Sequence, residues 1–319
     1  MEEERGWGGL KEGGRRSRMR GVENNGNRES AEGKSRAERR GDVTERIVAQ
    51  VEALPPMPET ALKLCAAARD PKADFARLVP LIEKDPGLSA DLLRFANSAA
   101  YGVGHPVETV GEAVLYFGMG NLVDFISVSY ANRLVRESFR KLKNLEDYFT
   151  HSEQVSAACY QLAREAGLPR HEREVCKVAG LLHNVGKLVL LLATRQWGGP
   201  LLGTPWSERQ AMISEEEQNY GLSHCEVGAL LCRKWKFPEK LLAAIRHHHQ
   251  PLKGGDVRPL AAYVYLGELL VIDGLPMEII TRDFSPGILE RLRLPAEGLS
   301  RAREAFRAAR AGGSKEAGA

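Results

Sequence analysis

The chain has 319 residues, of which 43% are hydrophobic, and its formal net charge is only +3. This length and apolar content are enough for one large domain or two small ones with a normal buried core. Basic residues are interspersed with acidic ones, so the broad positive surface typical of nucleic-acid binding is missing and we expect no nucleic-acid partner.

Cysteine usage and hydropathy indicate the compartment. The five cysteines are an odd number without a CxxC pair, which is typical of reduced thiols in the cytosol. No apolar run approaches the ~20 residues that span a bilayer, and the N-terminus has no apolar signal core. We therefore expect a cytoplasmic protein without a membrane partner.

The two ends differ in composition from the middle. Residues 1–41 are rich in Gly, Arg, Glu, Ser and Asn and nearly lack aliphatic side chains, which predicts a disordered extension. A translation start at Met19 or later is the other interpretation. We expect a domain at 42–272, a C-terminal helical extension at 273–311 and a disordered tail at 312–319.

From residue 42 onward apolar residues recur at helical spacing without convincing strands, which predicts an all-α fold. The first helix should end at the proline-rich stretch 54–58. Pro80 should kink or break the helix predicted at 75–84. Asp85 followed by Pro86 has the pattern of an N-cap with proline at the first helical position.

Helix-end signals continue along the chain. Thr109 and Glu112 have the spacing of a capping box, and the segment 214–217 repeats that spacing. A helix at 148–166 should be closed by Gly167, and helices at 224–236 and 300–310 follow further on.

The segment 179–187, with sequence AGLLHNVGK, is similar to the metal-binding motif of HD-type phosphohydrolases, with asparagine where the motif has aspartate. In such a site the His-Asp pair binds one metal ion through the imidazole and bridges two through the carboxylate, which activates a water. Asn184 is neutral and a poor bridge between hard cations. The motif therefore argues against hydrolysis.

Four further motifs carry a wider resemblance: LPPMP at 54–58, IEKDPGL at 82–88, LLRFANSAAYG at 92–102 and EAVLYFG at 112–118. In this order they resemble the successive signatures of the HDOD family over roughly residues 50–270. The resemblance implies an HD-domain-like multi-helix bundle with an N-terminal helical part at 42–143 and an HD-like part at 144–272. Family members are bacterial signalling modules without established catalysis.

The resemblance also implies a ligand set. Carried over by position, the candidate metal ligands are His151, His183, His224, His248, His249 and Glu268. Lys187 matches a lysine that approaches substrate phosphate in HD-GYP enzymes, and Lys187 and Asn184 are candidate ligand-binding residues. The Gly-Tyr-Pro loop of HD-GYP enzymes does not follow His249, which argues against cyclic di-GMP hydrolysis.

Each histidine also has a structural interpretation as a hydrogen-bonded core residue, so metal occupancy stays open at this point. A pocket rich in imidazole and poor in carboxylate favours a transition metal such as Fe or Zn over Mg. Asn97 and Tyr101 also have two possible interpretations. We favour a fixed corner between helices there, and a partner-docking edge extending to His105 is the alternative.

These observations lead to two hypotheses of function. The first is a regulatory module of bacterial signal transduction that contacts an unknown protein partner and keeps a histidine pocket as a structural or sensory site. The second is a metal-dependent phosphohydrolase acting on a nucleotide or cyclic dinucleotide, and Asn184 is its main weakness.

Overall fold

The computed structural model describes residues 36–70, 74–97, 105–140, 142, 145–194, 209–252, 258–282 and 284–316. Every regular element in these ranges is a helix, so the predicted all-α fold is confirmed. The helices are α1 (Arg36–Ala53), α2 (Glu59–Arg69), α3 (Phe75–Glu83), α4 (Pro86–Ala96), α5 (Val110–Phe139), α6 (Leu145–Glu165), α7 (Arg170–Leu182), α8 (Val185–Thr194), α9 (Arg209–Tyr220), α10 (His224–Lys234), α11 (Glu239–His247), α12 (Pro259–Leu270), α13 (Met277–Arg282), α14 (Pro286–Arg291) and α15 (Ala296–Glu316).

In the N-terminal part, α2, α3 and α4 pack against α5, which consists of two helical segments that meet at a kink at Gly118. Asp85 caps α4 by accepting a hydrogen bond from the Leu88 amide at 2.9 Å, as predicted. The same carboxylate accepts from the Tyr130 hydroxyl at 2.6 Å and from Arg133 at 3.1 Å, which ties α4 to α5. Burial alone would raise the pKa of Asp85, but these hydrogen bonds outweigh it and lower the pKa.

The corner after α4 is held by one side chain. Asn97 donates from its amide to the carbonyls of Leu93 at 3.0 Å and Val107 at 2.8 Å, and it accepts from the Val107 amide at 2.8 Å. This is the arrangement that the fixed-corner reading requires of Asn97. Tyr101, the other residue of the predicted docking edge, lies outside the described residues.

The helix-end predictions at Thr109 and Gly167 are confirmed, the one at 214–217 is wrong, and Pro80 lies inside a continuous helix. The capping box of Thr109 and Glu112 is present at the start of α5, and Gly167 closes α6 with a positive φ of 66°. The segment 214–217 lies inside α9 and caps nothing, because the helix already begins at Arg209. The helix α3 continues through Pro80, so of the predicted kink or break, the break is absent.

The reason for the Pro80 result is tertiary packing. Proline removes one backbone hydrogen bond from a helix interior. In α3 the neighbours Leu78 and Ile82 are almost completely buried, and the helix packs against both α4 and α5. Burial of two large aliphatic side chains stabilises by about 3–6 kcal/mol, which offsets the cost of about 3 kcal/mol for a proline in a helix interior.

The observed ends of the helical region differ from the predicted boundaries. Helix α1 begins at Arg36, inside the predicted 1–41 extension, and α15 runs to Glu316, inside the predicted 312–319 tail. Residues 1–35 and 317–319 lie outside the described part of the chain. The main compact unit comprises residues 40–319.

The C-terminal part places the histidine motif at its centre. Helix α6 packs against α7, α12 and α15, while α10 packs against α8 and α11. The stretch 172–194 is long and apolar enough to cross a membrane, but 83% of its most apolar window is buried inside the protein. A buried pair of core helices, α7 and α8, accounts for this apolar stretch.

The packing of α8 on α10 requires glycine at position 186. A Cβ atom added to Gly186 would lie 1.9 Å from the His224 carbonyl oxygen and 2.6 Å from the Gly228 amide nitrogen. These are backbone atoms, so relief requires the two helices to separate.

We expect Gly186→Ala to lower the free energy of unfolding by about 1–3 kcal/mol or more, because the helices must move apart. Urea denaturation followed by circular dichroism measures this change. Gly111→Ala is the matched control, since the nearest atom to its added Cβ is 4.0 Å away. That variant should be neutral or stabilised by up to ~1 kcal/mol. Equal stability of the two variants would contradict the close-approach argument.

Candidate metal centre

The six predicted ligand residues come from five separate helical elements and meet in one buried pocket. His183 and Asn184 form the junction between α7 and α8, and His248 and His249 directly follow α11. The remaining residues lie on α6 (His151), α10 (His224) and α12 (Glu268). Neighbouring imidazole rings lie 4.1–5.5 Å apart between centroids.

The pocket divides into two groups of donor atoms that could each hold a metal ion. One group consists of His151, His183 and Glu268, with Nε2 of His183 lying 3.3 Å from a Glu268 carboxylate oxygen. The other group consists of His224, Cys225, His248 and His249. Within each group the potential ligand atoms all lie within 4.8 Å of one another.

His224 is oriented by a carboxylate that the sequence did not reveal. Glu216 of α9 accepts from Nδ1 of His224 at 2.8 Å and from the His224 backbone amide at 2.7 Å. A carboxylate on the far nitrogen of an imidazole fixes its tautomer and is the usual support of a metal-binding histidine. Burial lowers the pKa of His224, although Glu216 opposes this shift. The ring is therefore neutral at pH 7, with its lone pair on Nε2.

His248 is held by the backbone in the same way. Its Nδ1 donates to the Ile245 carbonyl at 2.6 Å, which leaves the lone pair on Nε2. The side chain is fully buried, and Nε2 has no hydrogen-bond partner among the described residues. Burial lowers the pKa of His248 well below its usual value, so the ring stays neutral. A buried lone pair without a partner is a position where a metal ion fits.

Asn184 and Lys187 line the same pocket. The Asn184 amide nitrogen lies 2.6 Å from Nε2 of His183. Lys187 is only 4% exposed, and its positive charge disfavours protonation of His224 and favours the thiolate of Cys225. Burial nevertheless raises the pKa of the Cys225 thiol well above its usual value. The pocket thus contains a buried cation, buried carboxylates and neutral imidazoles.

Comparison with known proteins now identifies the fold family. A family model described as HDOD domain matches residues 54–251. The chain belongs to the HDOD family. A solved HDOD domain protein of unknown function from Geobacter sulfurreducens has 23% identity and a TM-score of 0.60, over 86% of this chain and 97% of that chain. This likeness shows the shared fold.

Curated relatives match parts of longer proteins. An uncharacterized protein of Treponema pallidum (strain Nichols) is 26% identical over 243 residues, which are 74% of this chain and 46% of that protein. A Vibrio cholerae protein named cyclic di-GMP phosphodiesterase CdgJ is 28% identical over 85 residues, 27% of this chain and 20% of that protein. The HDOD chain thus spans less than half the length of both relatives.

Two residues of the HDOD pocket were missed by the sequence analysis. Cys225 adjoins His224, but a lone cysteine is more often a small core residue than a ligand, so its position carried little signal. Glu216 was read as part of a capping box, although its helix begins earlier and its carboxylate contacts His224. Only the packing of α9 near α10, which brings Glu216 to His224, distinguishes a capping role from a contact with the pocket.

The donor set of this HDOD domain fits a transition metal. Imidazole and thiol donors suit Zn²⁺ or Fe²⁺, whereas Mg²⁺ requires mostly oxygen ligands. His224, Cys225, His248 and His249 would hold such an ion, and Glu216 would orient one of the imidazoles. A bound ion of this kind would supply charge and a fixed geometry to the pocket.

We expect Glu216→Ala to destabilise the fold by about 1–3 kcal/mol, because two buried N–H groups of His224 lose their acceptor. Glu216→Gln should lie between this variant and the wild type, since it retains one acceptor oxygen. Urea denaturation measures both. The exposed neighbour Glu217 provides the control, and Glu217→Ala should stay within ~0.5 kcal/mol of the wild type. Equal effects at the two positions would refute the role of Glu216.

Proposed function

We propose that this HDOD domain is a non-hydrolytic regulatory module of bacterial signal transduction. It acts in the cytoplasm by contacting a protein partner, and its histidine pocket serves as a structural or sensory metal site. The observation that carries this proposal is Asn184, which occupies the position of the bridging carboxylate and contacts His183 instead.

The chemical reason lies in charge. Two-metal hydrolysis needs an anionic ligand between two cations, so that the water between them is activated and the developing charge is stabilised. An amide is neutral, and its oxygen is a weaker ligand than a carboxylate. The Asn184 oxygen is buried without a hydrogen-bond partner among the described residues, and its nitrogen is engaged with His183.

The surface beside the Asn97 corner supports the partner-contact part of the proposal. Leu115 and Tyr116 on the first turns of α5 are 67% and 46% exposed, which is high for large apolar side chains. The Tyr116 hydroxyl lies 3.0 Å from Nε2 of His105, so the loop before α5 borders the same surface. Exposed aromatic and aliphatic side chains of this kind are common in protein interfaces.

A second candidate function is metal-dependent hydrolysis of a phosphodiester. Its support is the buried Lys187, which could neutralise phosphate charge beside the histidines, together with the Vibrio cholerae relative named as a cyclic di-GMP phosphodiesterase. Both candidates predict metal binding. They differ in whether the wild-type pocket turns over substrate.

The test is phosphodiesterase activity on bis-p-nitrophenyl phosphate and cyclic di-GMP with Fe²⁺, Mn²⁺ or Zn²⁺ added. We expect no metal-dependent turnover by the wild type. Asn184→Asp should gain activity if the missing carboxylate is the only deficiency of the site. Asn184→Ala is the control, because it removes the amide without supplying a charge, and it should stay inactive.

Metal-dependent turnover by the wild type, lost in His183→Ala, would overturn the proposal in favour of the hydrolase. Silence of both the wild type and Asn184→Asp is consistent with the regulatory module and would mean that more than the bridge is missing.

A further inference from the structure

The two donor groups of the pocket differ in whether a hydrogen bond already occupies the lone pairs of their imidazole nitrogens. Nδ1 of His183 lies 2.6 Å from the Gly180 carbonyl, which can only accept, so this nitrogen carries the proton. Nε2 is then the ring nitrogen that accepts, because the neighbouring amide nitrogen of Asn184 can only donate. The Asn184 amide nitrogen, 2.6 Å away, donates to Nε2, and this contact is shorter than the 3.3 Å to Glu268.

The first group is therefore satisfied by the protein itself. A metal ion at His183 would have to break the hydrogen bond from Asn184, and the amide would return only a neutral oxygen. Burial makes the loss of that hydrogen bond costly, because no water can replace it. The asparagine thus removes the bridge and also occupies the donor atom that a metal ion would need.

The second group has the opposite property. Nε2 of His248 is buried without a hydrogen-bond partner among the described residues, and Nε2 of His224 bears a lone pair because Nδ1 is engaged with Glu216. Nε2 of His224 lies 3.2 Å from Nε2 of His249 and 3.5 Å from the Cys225 sulfur. Four potential ligand atoms thus face one another.

Distances between these atoms match a tetrahedral site. Zn–N bonds of about 2.0–2.1 Å and Zn–S bonds of about 2.3 Å place tetrahedral ligands about 3.3–3.6 Å apart. The observed 3.2 Å between two imidazole nitrogens and 3.5 Å between nitrogen and sulfur are close to these values. The other pairs in the group lie within 4.8 Å, so small side-chain movements complete the site.

The Cys225 sulfur can also supply the anionic ligand that the neutral Asn184 cannot. A thiol bound to a metal ion loses its proton, so Cys225 would contribute one negative charge where Asn184 contributes none. The positive charge of Lys187 in the same pocket opposes the negative charge of Glu216 and Glu268. Thiolate with imidazole ligands selects Zn²⁺, Fe²⁺ or Co²⁺ over Mg²⁺ or Ca²⁺.

We propose that the pocket takes one transition-metal ion rather than two, bound by the thiolate of Cys225 and the imidazoles of His224, His248 and His249. This inference rests on the proposed function, because it specifies the metal site of a regulatory module. It assigns a ligand role to Cys225. It also makes His183 a structural residue, whose two ring nitrogens are hydrogen-bonded within the protein.

The experiment is titration of the metal-free full chain with Co²⁺, followed by absorbance. Thiolate ligation gives an intense near-ultraviolet charge-transfer band, and tetrahedral geometry gives strong visible bands. We expect both to saturate at one equivalent of cobalt. Cys225→Ala should lose the charge-transfer band and bind cobalt at least about tenfold more weakly, since losing even an outer-shell support costs ~10–100-fold.

Cys232→Ala is the matched control, because Cys232 is equally buried on the same helix and lies outside both donor groups. It should retain the band and the stoichiometry. Circular dichroism checks the helical content of each variant. If Cys225→Ala does not fold, Cys225→Ser replaces it and should likewise show no sulfur-to-cobalt band.

The outcomes separate this inference from the proposed function. One equivalent of cobalt without the charge-transfer band, a band that survives in Cys225→Ala, or two equivalents in the wild type would each overturn the inference while leaving the regulatory proposal standing. No cobalt binding at all would overturn the inference together with the metal-site part of the proposed function, and would leave only its non-hydrolytic, partner-contacting part standing. Turnover of phosphodiesters by the wild type would overturn the regulatory proposal without touching the ligand assignment.

Discussion

The close backbone contact between α8 and α10 is the constraint on which the pocket depends. Gly186 lies directly against the His224 carbonyl, and no side chain fits between them. Because His183 and Asn184 immediately precede α8, this contact sets the distance from the histidine motif to the first residue of α10. A wider spacing would separate the two donor groups and leave buried polar atoms facing a void.

The pocket also illustrates how a folded interior tolerates many polar groups. Each buried imidazole is fixed by an acceptor on its Nδ1: a carbonyl for His183 and His248, and the Glu216 carboxylate for His224. These contacts determine the tautomers, so the Nε2 atoms all point inward with lone pairs. The arrangement fixes the orientation of each ring within the buried pocket.

Much of the fold and pocket could be predicted from local sequence patterns. The Asp85 N-cap, the capping box at Thr109 and the closure of α6 at Gly167 follow from short-range stereochemistry and are confirmed. The cap predicted at 214–217 is wrong, because α9 already begins at Arg209. No break occurs at Pro80, because the neighbouring Leu78 and Ile82 are buried and hold α3 together. The family motif identified six candidate ligand positions. The roles of Cys225 and Glu216 could not be predicted, because their contacts form only when separate helices pack together.

The burial of Asn184 has a consequence for the chemical ageing of the protein. Asparagine slowly converts to aspartate when the amide nitrogen of the next residue attacks its side chain, and this requires a flexible backbone. Here the next residue is the β-branched Val185, which begins α8, and Asn184 is only 1% exposed. Rigid helical geometry and exclusion of water both suppress that reaction. The fold therefore disfavours the spontaneous deamidation that would place an aspartate at position 184.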